Sequence, residues 1–137
     1  MDFKKLIEYR NKYNHFSTRV GVVLEELREG YALARKTVGA DDTNPLGYAH
    51  GGVYVTLADS ACGSAAYTYG YKTVTMDSSY HYFRAARPGD ILTAEANVLH
   101  HGKTTAVFEV KVTDQRGALL GSGTFSFFLL PEKLEIH

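Results

Sequence analysis

Between Asp42 and Lys72 only one side chain carries a full charge at neutral pH, and it is Asp59. The first half of this stretch, Asn44-Pro45-Leu46-Gly47-Tyr48-Ala49-His50-Gly51-Gly52, is turn-rich, punctuated by Asn44-Pro45 and Gly47. The second half, ending near Gly70, reads as a helix rich in small residues: Ala58, Ala61, Gly63, Ala65 and Ala66. A helix with no charged outer face belongs inside a fold, and its small residues let a sheet come close. Burying an unpaired carboxylate costs several kcal/mol, so Asp59 calls for compensation or a function.

The flanks supply that sheet. Residues 2 to about 14 form a short amphipathic helix, with Asp2 as cap and Phe3, Leu6, Ile7, Tyr13 and the stem of Arg10 on or near one face. Val20, Val22 and Leu24 then alternate, Glu29-Gly30 turns the chain, and Tyr31 and Leu33 resume the alternation to Val38, which is a β-hairpin. After Gly70 four strands follow. They run over Thr73–Phe83 to a turn at Arg87-Pro88-Gly89-Asp90, over Leu92–Val98 to His101-Gly102-Lys103, over Ala106–Thr113 to Asp114-Gln115-Arg116-Gly117, and from about Ala118 to Leu130, ending at Pro131. Nothing repeats as strand-helix-strand, so the expected class is α+β, a curved antiparallel sheet wrapped around one long helix. A single domain over residues 1–137 accommodates it.

Composition narrows the function classes. Fifteen acidic and fifteen basic residues cancel, which argues against nucleic-acid or anionic-membrane partners. The one cysteine, Cys62, excludes an intramolecular disulfide and reads as a small buried filler. His100-His101 has no partners at ligand spacing, so no metal is expected. The amino-terminal residues lack a signal peptide's apolar run, and no stretch approaches transmembrane length, so a soluble, cytoplasmic protein is expected.

The chemistry gathers where the loop becomes the helix. First-turn amides have no intrahelical partner and point outward with the positive end of the dipole. Gly51 and Gly52 let a ligand approach that backbone, an arrangement suited to a carbonyl oxygen that becomes negative on attack. The bland alternative is a tight turn with His50 as a loop histidine. Asp59 suits a general base or a nucleophile; its alternative is an ordinary surface carboxylate. Gly51 and Asp59 are eight residues apart, about 12 Å along a helix, too far to meet on one carbonyl. Either the two do not cooperate, or Asp59 works with Gly51 of a second subunit in a twofold dimer.

The spacing Asn44-x5-His50-Gly51-Gly52-x6-Asp59 resembles the active-site motif of hotdog-fold acyl-CoA thioesterases of the phenylacetate-pathway type. Val74-Thr75-Met76-Asp77, Phe83-Arg84-Ala85-Ala86-Arg87-Pro88-Gly89-Asp90 and Gly102-Lys103-Thr104 are similar to later parts of that family's pattern, and the likeness covers about residues 16 to 130. The resemblance implies a hotdog fold, a homodimer that pairs into a homotetramer, and hydrolysis of acyl- or aryl-CoA without a cofactor or metal. It implies that the Gly51 amide polarises the thioester carbonyl, that Asn44 and His50 support the loop, with His50 toward the thioester, and that Asp59 of the neighbouring subunit attacks or activates water. Thr75 falls where the family places a hydroxyl that helps hold the water.

Gly52, Arg84, Arg87 and Lys103 are candidates for binding the substrate and its phosphates, against the alternative of solvated cations for the last three. Tyr48, Tyr54, Tyr80 and Tyr82 are candidates for an aromatic acyl pocket. Two other functions fit the same fold: an acyl-thioester hydratase or dehydratase using His50 with Asp59, and a non-catalytic acyl-CoA-binding module. The Asn44 and Gly-Gly arrangement favours hydrolysis over the first, and the presence of Asp59 counts against the second.

Overall fold

The computed structural model describes residues 1–136; His137 lies outside the described residues. In chain order the elements are α1 (Phe3–Tyr13), α2 (His15–Val20), β1 (Val23–Arg28), β2 (Tyr31–Thr37), a 3-10 turn at Ala40–Asp42, α3 (Gly51–Tyr67), β3 (Tyr71–Tyr82), β4 (Ile91–His101), β5 (Thr105–Thr113) and β6 (Leu119–Lys133). The strands form one six-stranded sheet in the order β1-β2-β4-β5-β6-β3, and every pairing is antiparallel.

α3 is the helix that the charge-poor stretch implied, and the sheet wraps around it. Leu57, Ala58, Ala61, Cys62, Ala65 and Ala66 are fully buried on it. Facing it are the inward residues of the strands: Ala32 and Ala34 of β2, Ala94 and Ala96 of β4, then Phe108, Val110 and Val112 of β5 and Phe125 of β6. Ala32 pairs with Ala96 and Ala34 with Ala94 across β2 and β4. Small residues on both layers permit a close helix-to-sheet approach, while Phe108 and Phe127, edge to face at 5.9 Å, fill the thicker end.

Two expectations are corrected. The period-2 reading began at Val20, but His15–Val20 is a helix, closed by Gly21 at φ 94° with its N–H on the carbonyls of Ser17 and Thr18. A glycine in the left-handed region stops a helix locally, and three alternating residues are too few to override it. Strand order, which the sequence pattern left open, has β4, β5 and β6 adjacent in turn, β3 beyond β6 and β4 against β2. The second correction is that β6 runs through Pro131 to Lys133. Tyr71 pairs with Lys133 and Thr73 with Leu129, so Pro131 sits in a bulge where no ladder N–H is required of it.

β3 and β1 are the sheet edges. β3 matters for the site because it is twelve residues long yet exposes apolar side chains, Val74 by 50% and Met76 by 40%.

The close approach of α3 makes a prediction. Replacing Ala65, fully buried against the sheet, by Leu should cost about 1–3 kcal/mol through overpacking. Urea unfolding should show a lower midpoint at unchanged slope. An unchanged midpoint would mean that slack remains between helix and sheet.

Candidate active site

The N-terminus of α3 is held from both sides. His50 is the N-cap, and its Nδ1 accepts the Gly52 N–H at 2.9 Å. On the other side the Tyr82 hydroxyl donates to the Gly51 carbonyl at 2.9 Å. Both contacts grip the same peptide unit, the one joining Gly51 to Gly52. Gly52 therefore has no amide to offer a ligand, whereas the Gly51 N–H donates to no atom among the described residues. Of the two candidate donors, Gly51 is the available one.

The loop before the helix is built to deliver this amide. The Asn44 side-chain oxygen accepts the N–H groups of Leu46 and Tyr48, and its backbone N–H donates to Tyr48, closing a compact turn around Gly47. The N–H of Ala49 donates to Ala86 and that of His50 to Asp42, which ties the loop to the rest of the fold. Asn44, Tyr48, Gly51, Tyr54, Tyr82 and Arg84 line a cavity of about 430 Å³. Arg87 lies over the Tyr48 ring at 5.0 Å. Tyr54 is buried with its hydroxyl accepting the Ala86 N–H at 2.7 Å, and it packs with Tyr80 and Tyr82. The tyrosine cluster thus belongs to the Gly51 side.

Asp59 opens on another face of α3. The Thr75 hydroxyl of β3 donates to its Oδ1 at 2.8 Å. Burial pushes the Asp59 carboxyl above its ordinary pKa, while the Thr75 hydrogen bond and the charge of Arg10 pull it back. The carboxylate lines a second cavity, of about 410 Å³, with Arg10, Phe16, Val55, Tyr67, Val74, Phe125 and Phe127 among its walls. That cavity shares no residue with the one at Gly51.

Sequence reasoning named both halves and placed them apart, and so does the fold. The structure brings Thr75 to Asp59, and Asn44 and Arg84 to Gly51. His50 and Gly52 line a third cavity with Asp41, Thr43 and Phe16, and Lys103 lines a fourth with His101 and Leu129. Arg10 escaped notice, having only an amphipathic helix to mark it, and Tyr82 was named only for an acyl pocket and not for its hydrogen bond to Gly51; what each one touches depends on tertiary packing.

Thr75→Val removes the hydroxyl that favours ionised Asp59, so the Asp59 titration should move to higher pH. Carboxyl-carbon NMR reads this directly. A downward or absent shift would contradict the geometry.

Comparison with known proteins agrees with this architecture. Residues 46–120 match the Thioesterase superfamily. The acyl-coenzyme A thioesterase PaaI of Escherichia coli is 33% identical over 97 residues, 71% of this chain and 69% of that protein. The structure of the E. coli PaaI protein superimposes with a TM-score of 0.90 at 24% identity, covering 96% of this chain and 98% of that one, a likeness of fold. A hypothetical thioesterase from Streptococcus pneumoniae, solved with coenzyme A, superimposes with a TM-score of 0.84 at 31% identity over 90% of this chain and 99% of that one. Matched by the family over more than half its length and by a relative at 33% identity, the chain belongs to the thioesterase superfamily and is a thioester hydrolase of hotdog fold.

Proposed function

We propose that this protein hydrolyses acyl- or aryl-CoA thioesters to the free acid and CoA, at sites completed across a twofold dimer. The observation that carries the reading is the separation of an unengaged helix-terminal amide, Gly51, from a carboxylate held by a hydroxyl, Asp59 with Thr75, in two cavities of one chain. Neither half hydrolyses a thioester alone. Joined across two antiparallel α3 helices, they supply an electrophilic donor and a base at one carbonyl. The names of two relatives, an acyl-coenzyme A thioesterase and a thioesterase solved with coenzyme A, support the substrate class.

The edge strand β3 supports the dimer. It carries Thr75 and presents exposed Val74 and Met76, apolar groups that an unpaired edge ordinarily avoids. Two such edges side by side extend the sheet and bring the helices into contact, and two dimers then form the tetramer. Arg84 and Arg87, near Gly51, and Lys103 are the cations offered to the phosphates of CoA.

In the reaction the Gly51 N–H donates a hydrogen bond to the carbonyl oxygen and stabilises the negative charge that grows there. Asp59, with Thr75 beside it, takes the proton of a water whose oxygen bonds to the carbonyl carbon. The C–S bond then breaks, and the CoA thiolate leaves and is protonated. Direct attack by Asp59 would pass through an anhydride that water opens; both routes need the ionised carboxylate. A hydratase would need His50 free to shuttle protons, and its Nδ1 is already taken by Gly52. Among the described residues no helix is long and apolar enough to cross a membrane.

Asp59→Asn should lower turnover by about 10²-fold or more, the scale of a lost base or nucleophile. It should also unfold less readily at neutral pH. A carboxyl whose pKa is raised by folding destabilises the fold as pH rises from the unfolded value through the folded one, and Asn removes that penalty. Release of free CoA, followed with a thiol reagent on variant confirmed as folded, is the check. Near wild-type turnover would remove Asp59 from the mechanism.

A further inference from the structure

Arg10 lines the Asp59 cavity without the ion pair that a half-buried guanidinium ordinarily finds. α1 carries it to the side of α3, where its Nε donates to Ser64 Oγ at 3.0 Å and an Nη to the Ser60 carbonyl at 3.4 Å. Its guanidinium carbon lies 4.5 Å from the centre of the Tyr67 ring. These contacts fix its orientation and supply no carboxylate within ion-pair distance. Among the described residues it forms no salt bridge, and Asp59 is the one carboxylate whose charge acts on it. Asp59 already holds Thr75, and the proposed reaction needs that carboxylate for water or for the acyl carbon.

The placement has a direction. Gly63 lies directly beneath the guanidinium, since a Cβ built there would be in contact with Arg10 Nη2 at 3.4 Å. Gly63 follows Asp59 by one turn on the same face, about 6 Å along the axis. An acyl chain whose carbonyl stands at Asp59 therefore passes apolar walls, Val55, Val74, Phe125 and Phe127, and then meets a fixed cation with donors left over.

We infer that Arg10 determines specificity by selecting acyl groups that end in a carboxylate, the mono-thioesters of short dicarboxylic acids. The terminal carboxylate takes up the guanidinium's remaining N–H groups as a charge-assisted pair. A methyl-ended chain of equal length would cover the same cation and leave it unpaired, which is the strongest ground for discrimination that a site can have. This rests on the thioesterase reading of the site and adds the acyl class to it.

The test compares kcat/KM for adipyl-CoA with that for hexanoyl-CoA, and for glutaryl-CoA with that for pentanoyl-CoA. Wild-type protein should prefer the carboxylate-ended member by about tenfold or more, the scale of a hydrogen bond to a charged group. Arg10→Gln should bring the ratio near one, and Arg10→Lys should keep part of it. The ratio divides out any general loss from disturbing α1 or Asp59. No preference in the wild type, or a preference that survives Arg10→Gln, overturns the proposal. If no acyl-CoA is turned over, the thioesterase reading fails by itself. Calorimetric binding of the non-hydrolysable thioether analogues of the two chains then decides on Arg10: tighter binding of the carboxylate-ended analogue, lost in Arg10→Gln, supports it, and equal binding refutes it.

Discussion

The grip on the peptide between Gly51 and Gly52 governs the chemistry that α3 can perform. Tyr82 holds its carbonyl and His50 holds its N–H, so the preceding amide, that of Gly51, is left as the outward donor at the positive end of the helix. The grip in turn needs α3 to sit at a fixed height against β3, because Tyr82 stands at the end of that strand. That height is set by the alanines facing one another across the helix and sheet layers, Ala58, Ala61 and Ala65 against Ala32, Ala34, Ala94 and Ala96. Packing of small side chains thus holds in place the donor that the proposed reaction uses.

The same helix keeps a carboxylate where burial disfavours its charge. Thr75 and Arg10 partly offset the cost, one by a hydrogen bond and the other by its field. The residual upward shift of the Asp59 pKa strengthens it as a proton acceptor while leaving it less stable as an anion. Arg10 is itself disfavoured as a cation by burial, which the charge of Asp59 only partly offsets, and it forms no salt bridge among the described residues. The guanidinium that eases the burial of Asp59 is also the one on which the proposed acyl selectivity rests.

Much of this was legible in the residues. The charge-poor run after Asp42 marked α3, the period-2 alternation of Ala106, Phe108, Val110 and Val112 marked β5, and the spacing from Asn44 to Asp59 picked out residues that line the two cavities of the proposed site. The resemblance named Gly51 as the donor, but the reason that Gly52 is not available was not legible, because it depends on which way the His50 ring turns. Nor was the insertion of β6 beside β3, since strand order is decided by long-range pairing and not by local pattern. Arg10 was hidden for the same reason: its partners, Ser60 and Ser64, lie fifty or more residues away in the chain.

The central claim is that each site draws on two subunits, and subunit mixing tests it most directly. Gly51→Pro deletes the donor and suits the helix backbone, because proline fits the first helical position and His50 before it is already extended, at φ −61° and ψ 142°. Its Cβ, 3.2 Å from the Tyr82 hydroxyl, requires that ring to shift by a few tenths of an ångström. Asp59→Asn deletes the carboxylate. Each variant alone should be folded, dimeric and inactive. In a mixed dimer one site carries both defects and the other neither, so co-refolding equal amounts should restore about a quarter of wild-type sites through about half heterodimers. Subunit exchange confirmed by mass spectrometry with activity still absent would contradict the shared site.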